Sequence, residues 1–529
     1  MRLSENAIEQ INGREGETAT LLSRCPLNSS GLSGGFAPRH LSRWAILRNS
    51  KHLTINDKGD VMFNLEIVTL TGIKRLIESS LIDQFRKHLK GELLLSGDEG
   101  YDDTRKVWNG MIDKRPALIA RCLDTDDVVA CVNFARENEL LTSVRGGGHN
   151  YAGKAVCDNG LMIDLSLMKG IKVDPAKRTV KAQAGLKLGE FDRETQKFGL
   201  ATTLGMNTDT GIAGLTLGGG YGWLAGKYGL ACDNLFSATV VMADGKVLQA
   251  NENENEDLFW GLRGAGANFG IVTEFEYQLH PVDGVIGGMV LYPLAADVLR
   301  FFDEFSNSAP DEITTLGVVL QTPDGNLAFA IAVCYSGEQD KANEALKPLR
   351  TFQQPLADMI TPRSYIEMQS MLDEVWLPGR HYYNKAHNIR SLNGGAIETI
   401  LKYSEMLPTN LTNIAFQQLH GVASRIAVSE TAFPHRYNHF DLLVHPATDN
   451  PAESEQMIKW ARECWEDLKP FVERAVYVNA LEDVSEEGEN RVREAYGLNY
   501  DRLLMLKRKY DPTNLFRLNS NIKPEGIQA

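Results

Sequence analysis

The sequence has no run of about eighteen apolar residues, so no membrane span is predicted. It also lacks an excess of positive charge. Its 55 Lys and Arg face 69 Asp and Glu, a formal net charge of −14. That balance argues against a basic face for nucleic acid or for anionic lipid, so neither is an expected partner. Cysteine is sparse. The seven, Cys25, Cys122, Cys131, Cys157, Cys232, Cys334 and Cys464, form no CxxC pair. A zinc ribbon or a redox dithiol is therefore not expected, and an odd, scattered set points to reduced thiols and a cytoplasmic protein. No cluster of side chains has metal-ligand spacing, so no metal is expected. The opening segment "MRLSENAIEQINGREGETATLLSRCP" lacks the basic-then-apolar order of a signal peptide.

What is present is an ordinary globular composition, 43% hydrophobic and 23% charged, in a chain of 529 residues. That length favours more than one domain, or one large domain with an inserted lobe. Residues 1–75 differ from the rest. "LNSSGLSGGFAPRHLSRW" has no clear period and reads as part of a poorly ordered extension, with an alternative start at Met62 left open. Regular patterning follows. "PALIARC" reads as a strand. "DTDDVVACVNFAREN" has capping residues ahead of a helical spacing at Val128, Val129, Val132 and Phe134, and "LLTSVR" reads as a second strand. The glycines of "RGGGHN" then fall just after a strand–helix–strand unit. A helix is expected over 187–199, and a hairpin at Asp244-Gly245. From about residue 290 the texture becomes that of an α+β lobe on an antiparallel sheet, with "SRIAVSETAFPHRYNHFDLLVHP" read as more strand.

Glycine is concentrated rather than spread. Nine of the twenty-five residues from Gly205 to Gly229 are glycine. Such loops after strands can cradle phosphate through backbone N–H groups. Two common versions fail on spacing. "YGWLAGKY" has Tyr221 and Tyr228 where a Walker A loop needs Gly and Ser or Thr. "GAGANFG" has Phe269 at the third glycine of a dinucleotide fingerprint, and a strand follows it. On composition alone, tight turns and ligand binding remain equally open.

Four segments in order settle more. "RGGGHNYAG", "GIAGLTLGGGYGWLAGKYGLACDNL", "LFWGLRGAGANFGIVTEFEYQLHPV" and "NYDRLLMLKRKYDPTNLFRLNSNIKP" together resemble the FAD-linked oxidases of the berberine-bridge-enzyme-like group, in the vanillyl-alcohol oxidase superfamily. Within it they are most similar to the bacterial 6-hydroxy-D-nicotine-oxidase type. The resemblance runs from about residue 80 to 526. It implies an α+β fold: a two-lobed PCMH-type FAD-binding domain (76–285), a substrate domain on an antiparallel sheet (286–480) and a C-terminal segment (481–529) that returns to the flavin domain. It implies FAD as cofactor, cradled by Arg145, Gly146, Gly147, Gly148, Asn150 and Gly153 and joined covalently through His149. It places Thr210, Gly211, Gly214, Gly219 and Gly222 along the flavin, and Gly270 and Val272 near the adenine. Tyr477, Asn479 and Asn519 lie near the ring in the same picture.

The resemblance further implies hydride transfer from a C–H next to O or N of a small alcohol, sugar or amine to the flavin, with O2 reoxidising it to H2O2. Two rivals stand beside this. One is a dehydrogenase with another acceptor; the other is a flavin-binding protein without turnover. The chain departs from its relatives at two places. Asn207 stands where many have a second, cysteinyl flavin link, so a single attachment is expected. Ala480 stands where several have the tyrosine base of a "YxNY" motif. Lys385 and Tyr383 in "HYYNKAH", and His420 in "QLHGVASR", are the remaining candidates for catalytic work, each with an equally ordinary packing role open to it.

Overall fold

The computed structural model describes residues 52–55, 61–482 and 490–524. It has two lobes, each built on its own sheets. In the first, strand Leu118–Arg121 leads through helix Thr125–Glu137 to strand Thr142–Arg145. Asp124 caps the helix by accepting from the Asp127 N–H. Both strands pair in parallel with strand Leu161–Asp164. Strand Glu92–Leu95 closes the four-stranded sheet on one edge. These short runs are buried on both faces, which is why they read as continuous apolar segments rather than as alternation. A five-stranded antiparallel sheet sits beside it, in the order Val247–Asn251, Leu235–Met242, Gly270–Gln278, Thr179–Gln183, Ile171–Asp174. The Asp244-Gly245 turn joins its first two strands, with Gly245 at φ +83°. One apolar core unites both sheets with the helix at Thr125–Glu137.

The stretch expected over 1–75 to be a poorly ordered extension contains described strands. Residues before 52 lie outside the described residues. Strands Val61–Val68 and Lys74–Glu78 pair antiparallel. The first is tied into this lobe by the Val68 N–H on the Asn159 carbonyl and the Leu141 N–H on the Val68 carbonyl. Ile67 is fully buried in the main core.

The second lobe carries a long antiparallel sheet. Its strands run in the order Ala357–Asp358, Val285–Pro293, Leu327–Tyr335, Ile313–Gln321, Asn413–Leu419, His439–His445, Lys385–Ile389. Helices Ala296–Ser308, Gly394–Ser404 and Ser454–Leu468 cover one face and share its core. The other face looks toward the first lobe. Only part of "SRIAVSETAFPHRYNHFDLLVHP" is strand. Val422–Arg425 is one helical turn, and the chain is irregular from there until His439. Pro434 has no N–H for a ladder, and Arg436 leaves the sheet to meet buried Asp233 at 2.6 Å.

The C-terminal residues return to the first lobe. Helix Tyr500–Tyr510 ends just before Asp511-Pro512. Buried Lys507 pairs with Asp511 at 2.7 Å and donates to the carbonyls of Asn268 and Phe516. Asn268 in turn accepts the Ile522 N–H at 3.0 Å. No described helix is long and apolar enough to cross a membrane. The six described cysteines are free and buried.

Candidate functional site

Two glycine loops meet at the floor of a cleft. Gly147 and Gly211 pack so closely that a Cβ on either would run into the other's backbone nitrogen. Only glycine allows that approach. Lys106, Val107, Trp108, Arg145, Gly146, Ser166, Lys187, Asp209 and Pro378 complete a cleft of about 320 Å³. His149 stands beside it. Its Nε2 lies 3.0 Å from Asp209 Oδ2, and its ring stacks on Trp108 at 5.0 Å. Lys187 bonds the other Asp209 oxygen. Burial works against ionisation of Asp209, but the hydrogen bonds from His149 and Lys187 outweigh it and hold the carboxyl below its usual range.

Arg145 is oriented inward. Its guanidinium forks onto Asp164, at 2.9 and 2.7 Å, and donates to the carbonyls of Thr104 and Lys106. It braces the loop that carries Trp108 rather than offering a free charge. Asn150 turns the chain by accepting the Lys154 N–H, and Gly153 packs on Ile112.

The segment Gly211–Gly222 links this cleft to a second group. Gly219, at φ +125°, packs against Phe433 and Tyr477. The Gly220 N–H donates to the Tyr477 hydroxyl at 3.0 Å, and Asn479 donates to the same hydroxyl at 2.8 Å. Tyr221 stacks on Tyr477 at 4.3 Å, with 11° between the rings. Gly222 abuts the Leu204 carbonyl, whereas Gly214 has nothing within 4 Å of its Cβ position. Thr210 accepts the Leu188 N–H through its backbone. Gly270 and Val272 lie inside the five-stranded sheet, where Gly270 packs on Val240. Asn519 donates to the Ala267 carbonyl at 2.6 Å, and its buried Oδ1 has no partner among the described residues.

The register of the long sheet separates the catalytic candidates from this surface. Lys385 pairs with Val444 and His387 with Leu442, and those partners belong to the core under the helices. Lys385 is accordingly buried over the rings of Tyr383 and Trp465, at 5.2 and 5.3 Å. Arg462 donates to the Tyr383 hydroxyl from the same side. Both residues therefore face the helices, not the first lobe. For Lys385 a one-residue alternation decides the side, since it flips every side chain of a strand. His420 packs between Gly226 and the Pro310 carbonyl, and burial lowers its pKa. It is a contact between the lobes, away from the Tyr221–Tyr477 stack.

The side chains that do face the first lobe include Ala386, Asn388, Gln417, Leu443 and Asp441. Asp441 pairs across the sheet with Asn388 and Gln417. It is 1% exposed, and neither oxygen has a hydrogen-bond partner among the described residues. Burial pushes its pKa up to about 8, against a lowering influence from Arg491. Burial raises the pKa of the Tyr151, Tyr221 and Tyr477 hydroxyls, and Asp441 nearby adds to each. The sequence carries a signal for it: one acid inside the apolar run "FDLLV". Asp209 and Trp108 had no such signal. Each reaches His149 only through the fold.

This arrangement fits FAD. The cleft beside the two bare backbones has room for a phosphate group and is lined by Lys106, Lys187 and the Arg145–Gly147 backbone, and the buried Asn207 Nδ2, Asn519 Oδ1 and Asn521 Oδ1 have no hydrogen-bond partner among the described residues. Comparison with known proteins agrees. Residues 116–251 match the FAD binding domain family, and 476–523 match the family of berberine and berberine-like proteins. An FAD-linked oxidoreductase of Dictyostelium discoideum is 33% identical over 453 residues, 84% of this chain and 97% of the relative. The (R)-6-hydroxynicotine oxidase of Paenarthrobacter nicotinovorans is 33% identical over 83% of this chain and 98% of its own. The crystal structure of 6-hydroxy-D-nicotine oxidase from Arthrobacter nicotinovorans superimposes with a TM-score of 0.77 at 32% identity, over 83% of this chain and 98% of that one. A chitooligosaccharide oxidase gives 0.74 at 25% identity, over 85% and 99%.

The fold is thus that of the two-lobed, PCMH-type FAD-binding proteins. The chain belongs to the berberine-bridge-enzyme-like family of FAD-linked oxidoreductases, and its cofactor is FAD.

Proposed function

We propose that the protein is an oxidase with FAD attached through His149 alone, acting on a small alcohol, sugar or amine. The observation that carries this reading is the meeting of Gly147 and Gly211 beneath a His149 ring held by Asp209 and Trp108. Bound FAD supplies the hydride acceptor. The chain supplies position and proton handling. Tyr477, Asn479 and the Gly218–Gly220 backbone form a rigid, hydrogen-bonded wall. Asp441 faces it from the substrate sheet as the proton acceptor for the O–H or N–H of a substrate. With a pKa near 8 it can exchange a proton at neutral pH. The absence of a tyrosine at Ala480 then costs no base, because the sheet provides one.

The division of labour follows. The first lobe with the returning C-terminal residues binds FAD, and the antiparallel lobe from Val285 binds substrate. The names of the relatives, oxidases of hydroxynicotine and of chitooligosaccharide, support a small organic substrate and O2 as partners. The test is direct. Acid-precipitated protein stays yellow, a peptide containing His149 carries the mass of FAD, and His149→Ala releases its flavin. A substrate screen with and without O2 then separates the oxidase from a dehydrogenase of the same fold. Flavin that no alcohol, sugar or amine bleaches would leave a binding protein without turnover.

A further inference from the structure

Asp209 lies sixty residues beyond His149 in the chain, yet its carboxylate meets the imidazole at 3.0 Å. The contact is built from several sides. Lys187 bonds the second oxygen. Asn207 accepts the Asp209 N–H through its side chain at 2.9 Å, which turns the backbone so that the carboxylate points back at His149. Thr208 ties the same turn to the other lobe, with its N–H and hydroxyl on Asp373 at 2.9 and 2.5 Å. Trp108 lies nearly parallel to the imidazole, 19° apart, and is itself stacked on Tyr382 at 3.8 Å. The indole fixes the plane of the histidine ring and the carboxylate fixes its edge. With Nε2 held against Asp209, Nδ1 is the nitrogen left with a free lone pair.

From this geometry we propose that Asp209 is the positioning residue for attachment of the flavin, holding the His149 ring by its Nε2 edge and offsetting the charge that develops on it. The inference rests on the covalent reading of His149 given above. Nδ1 donates its lone pair to the carbon of the methyl group on the flavin's benzenoid ring, and that carbon gives up one C–H proton. The imidazole gains positive charge as the bond forms. Its Nε2–H is already aimed at Asp209, whose negative charge offsets that gain and accepts the proton's share. The two electrons released pass to the flavin and on to O2. With the methyl proton and the imidazole proton, they leave as hydrogen peroxide. Asn207 has its own part in this. Where relatives use that position for a second link, this chain uses it to aim the acid that serves the first.

The test compares the full-length wild type with Asp209→Asn, Asp209→Ala, Asp209→Glu and Lys187→Met. Each is purified, incubated with added FAD and read in two ways. Mass spectrometry gives the fraction of the His149 peptide carrying FAD over time, and acid extraction gives the non-covalent FAD. The wild-type peptide, examined by NMR, shows which nitrogen carries the link. Asp209→Asn is expected to bind FAD without covalent attachment, or with attachment slowed by roughly tenfold to a hundredfold. Asp209→Glu restores most of the rate, and Lys187→Met has a smaller effect. Attachment at the wild-type rate in Asp209→Asn overturns the proposal, as does a bond through Nε2. Loss of all flavin from both Asp209→Asn and Asp209→Ala also overturns it, since Asp209 would then act in binding rather than in linkage. If the wild type itself carries no FAD on His149, the anchor reading falls first. If the wild type carries it and Asp209→Asn carries as much, only the role of Asp209 falls.

Discussion

Two aspartates, one in each lobe, stand in opposite electrostatic settings. Asp209, on the glycine-rich floor, is bonded by His149 and Lys187 and stays ionised. Asp441, on the antiparallel sheet, is buried without a donor among the described residues, and its pKa is raised to about 8. The first is fixed in place by backbone turns. The second is fixed only by its position in a strand, where no neighbour satisfies it. An acid that must hold a ring still needs its charge and its partners. An acid that must exchange a proton needs neither partner nor permanent charge. The two lobes differ in the same sense. The floor is made by backbone approaching backbone, while the sheet face is made by side chains.

The sharpest way to break this contrast is Gly211→Ala. The new methyl meets the Gly147 backbone, which cannot yield. We expect a loss of about 2 kcal/mol or more in stability and little retained FAD, checked by thermal unfolding and flavin absorbance. Next in size is Asp441→Asn. The amide keeps the shape and loses the proton acceptor, so kcat should fall by roughly a hundredfold while FAD content is unchanged. An unchanged kcat removes Asp441 from the chemistry.

The same variant has a stability signature. Between about pH 4 and pH 8 the folded protein holds a proton at Asp441 that the unfolded chain has released. Stability therefore falls as pH rises through that window and levels off above it. Asp441→Asn should flatten this decline in a denaturant titration against pH. Asp192, whose pKa burial raises to about 7, gives a decline of the same sign and remains in the variant.

A smaller effect is expected from Gly214→Ala. Nothing lies within 4 Å of the added methyl, so fold stability should hold while FAD occupancy drops if this face lies along the cofactor. Equal FAD content would remove Gly214 from the cofactor wall. The smallest effect is that of Lys385→Met. Because Lys385 lies over Trp465 on the helix-covered side, the pH profile of kcat/KM should not move. A shifted profile would restore Lys385 as a base.

Much of the cofactor lobe was legible in the sequence, because its signals are local. The strand–helix–strand unit before Gly146, the Asp244-Gly245 turn and the helix end at Asp511-Pro512 each depend on residues close in the chain. A glycine forced by close approach leaves a mark even when its partner is distant, as at Gly147 and Gly211. The substrate lobe was less legible. Its strands read as strands, but choosing a base there requires knowing which face each residue occupies. The apolar positions of "KAHNI" fit either face, so Lys385 and His387 could not be placed.

The sequence by itself determined the class of fold and the cofactor, since these rest on glycine positions and on short-range pattern. Only the tertiary structure decided which acid meets His149 and which acid lies on the face of the sheet that looks toward the first lobe. Asp209 reaches His149 through a contact spanning sixty residues, and Asp441 differs from Lys385 by the parity of two paired strands. Neither fact exists until the chain has folded, because both depend on which surfaces are buried against each other.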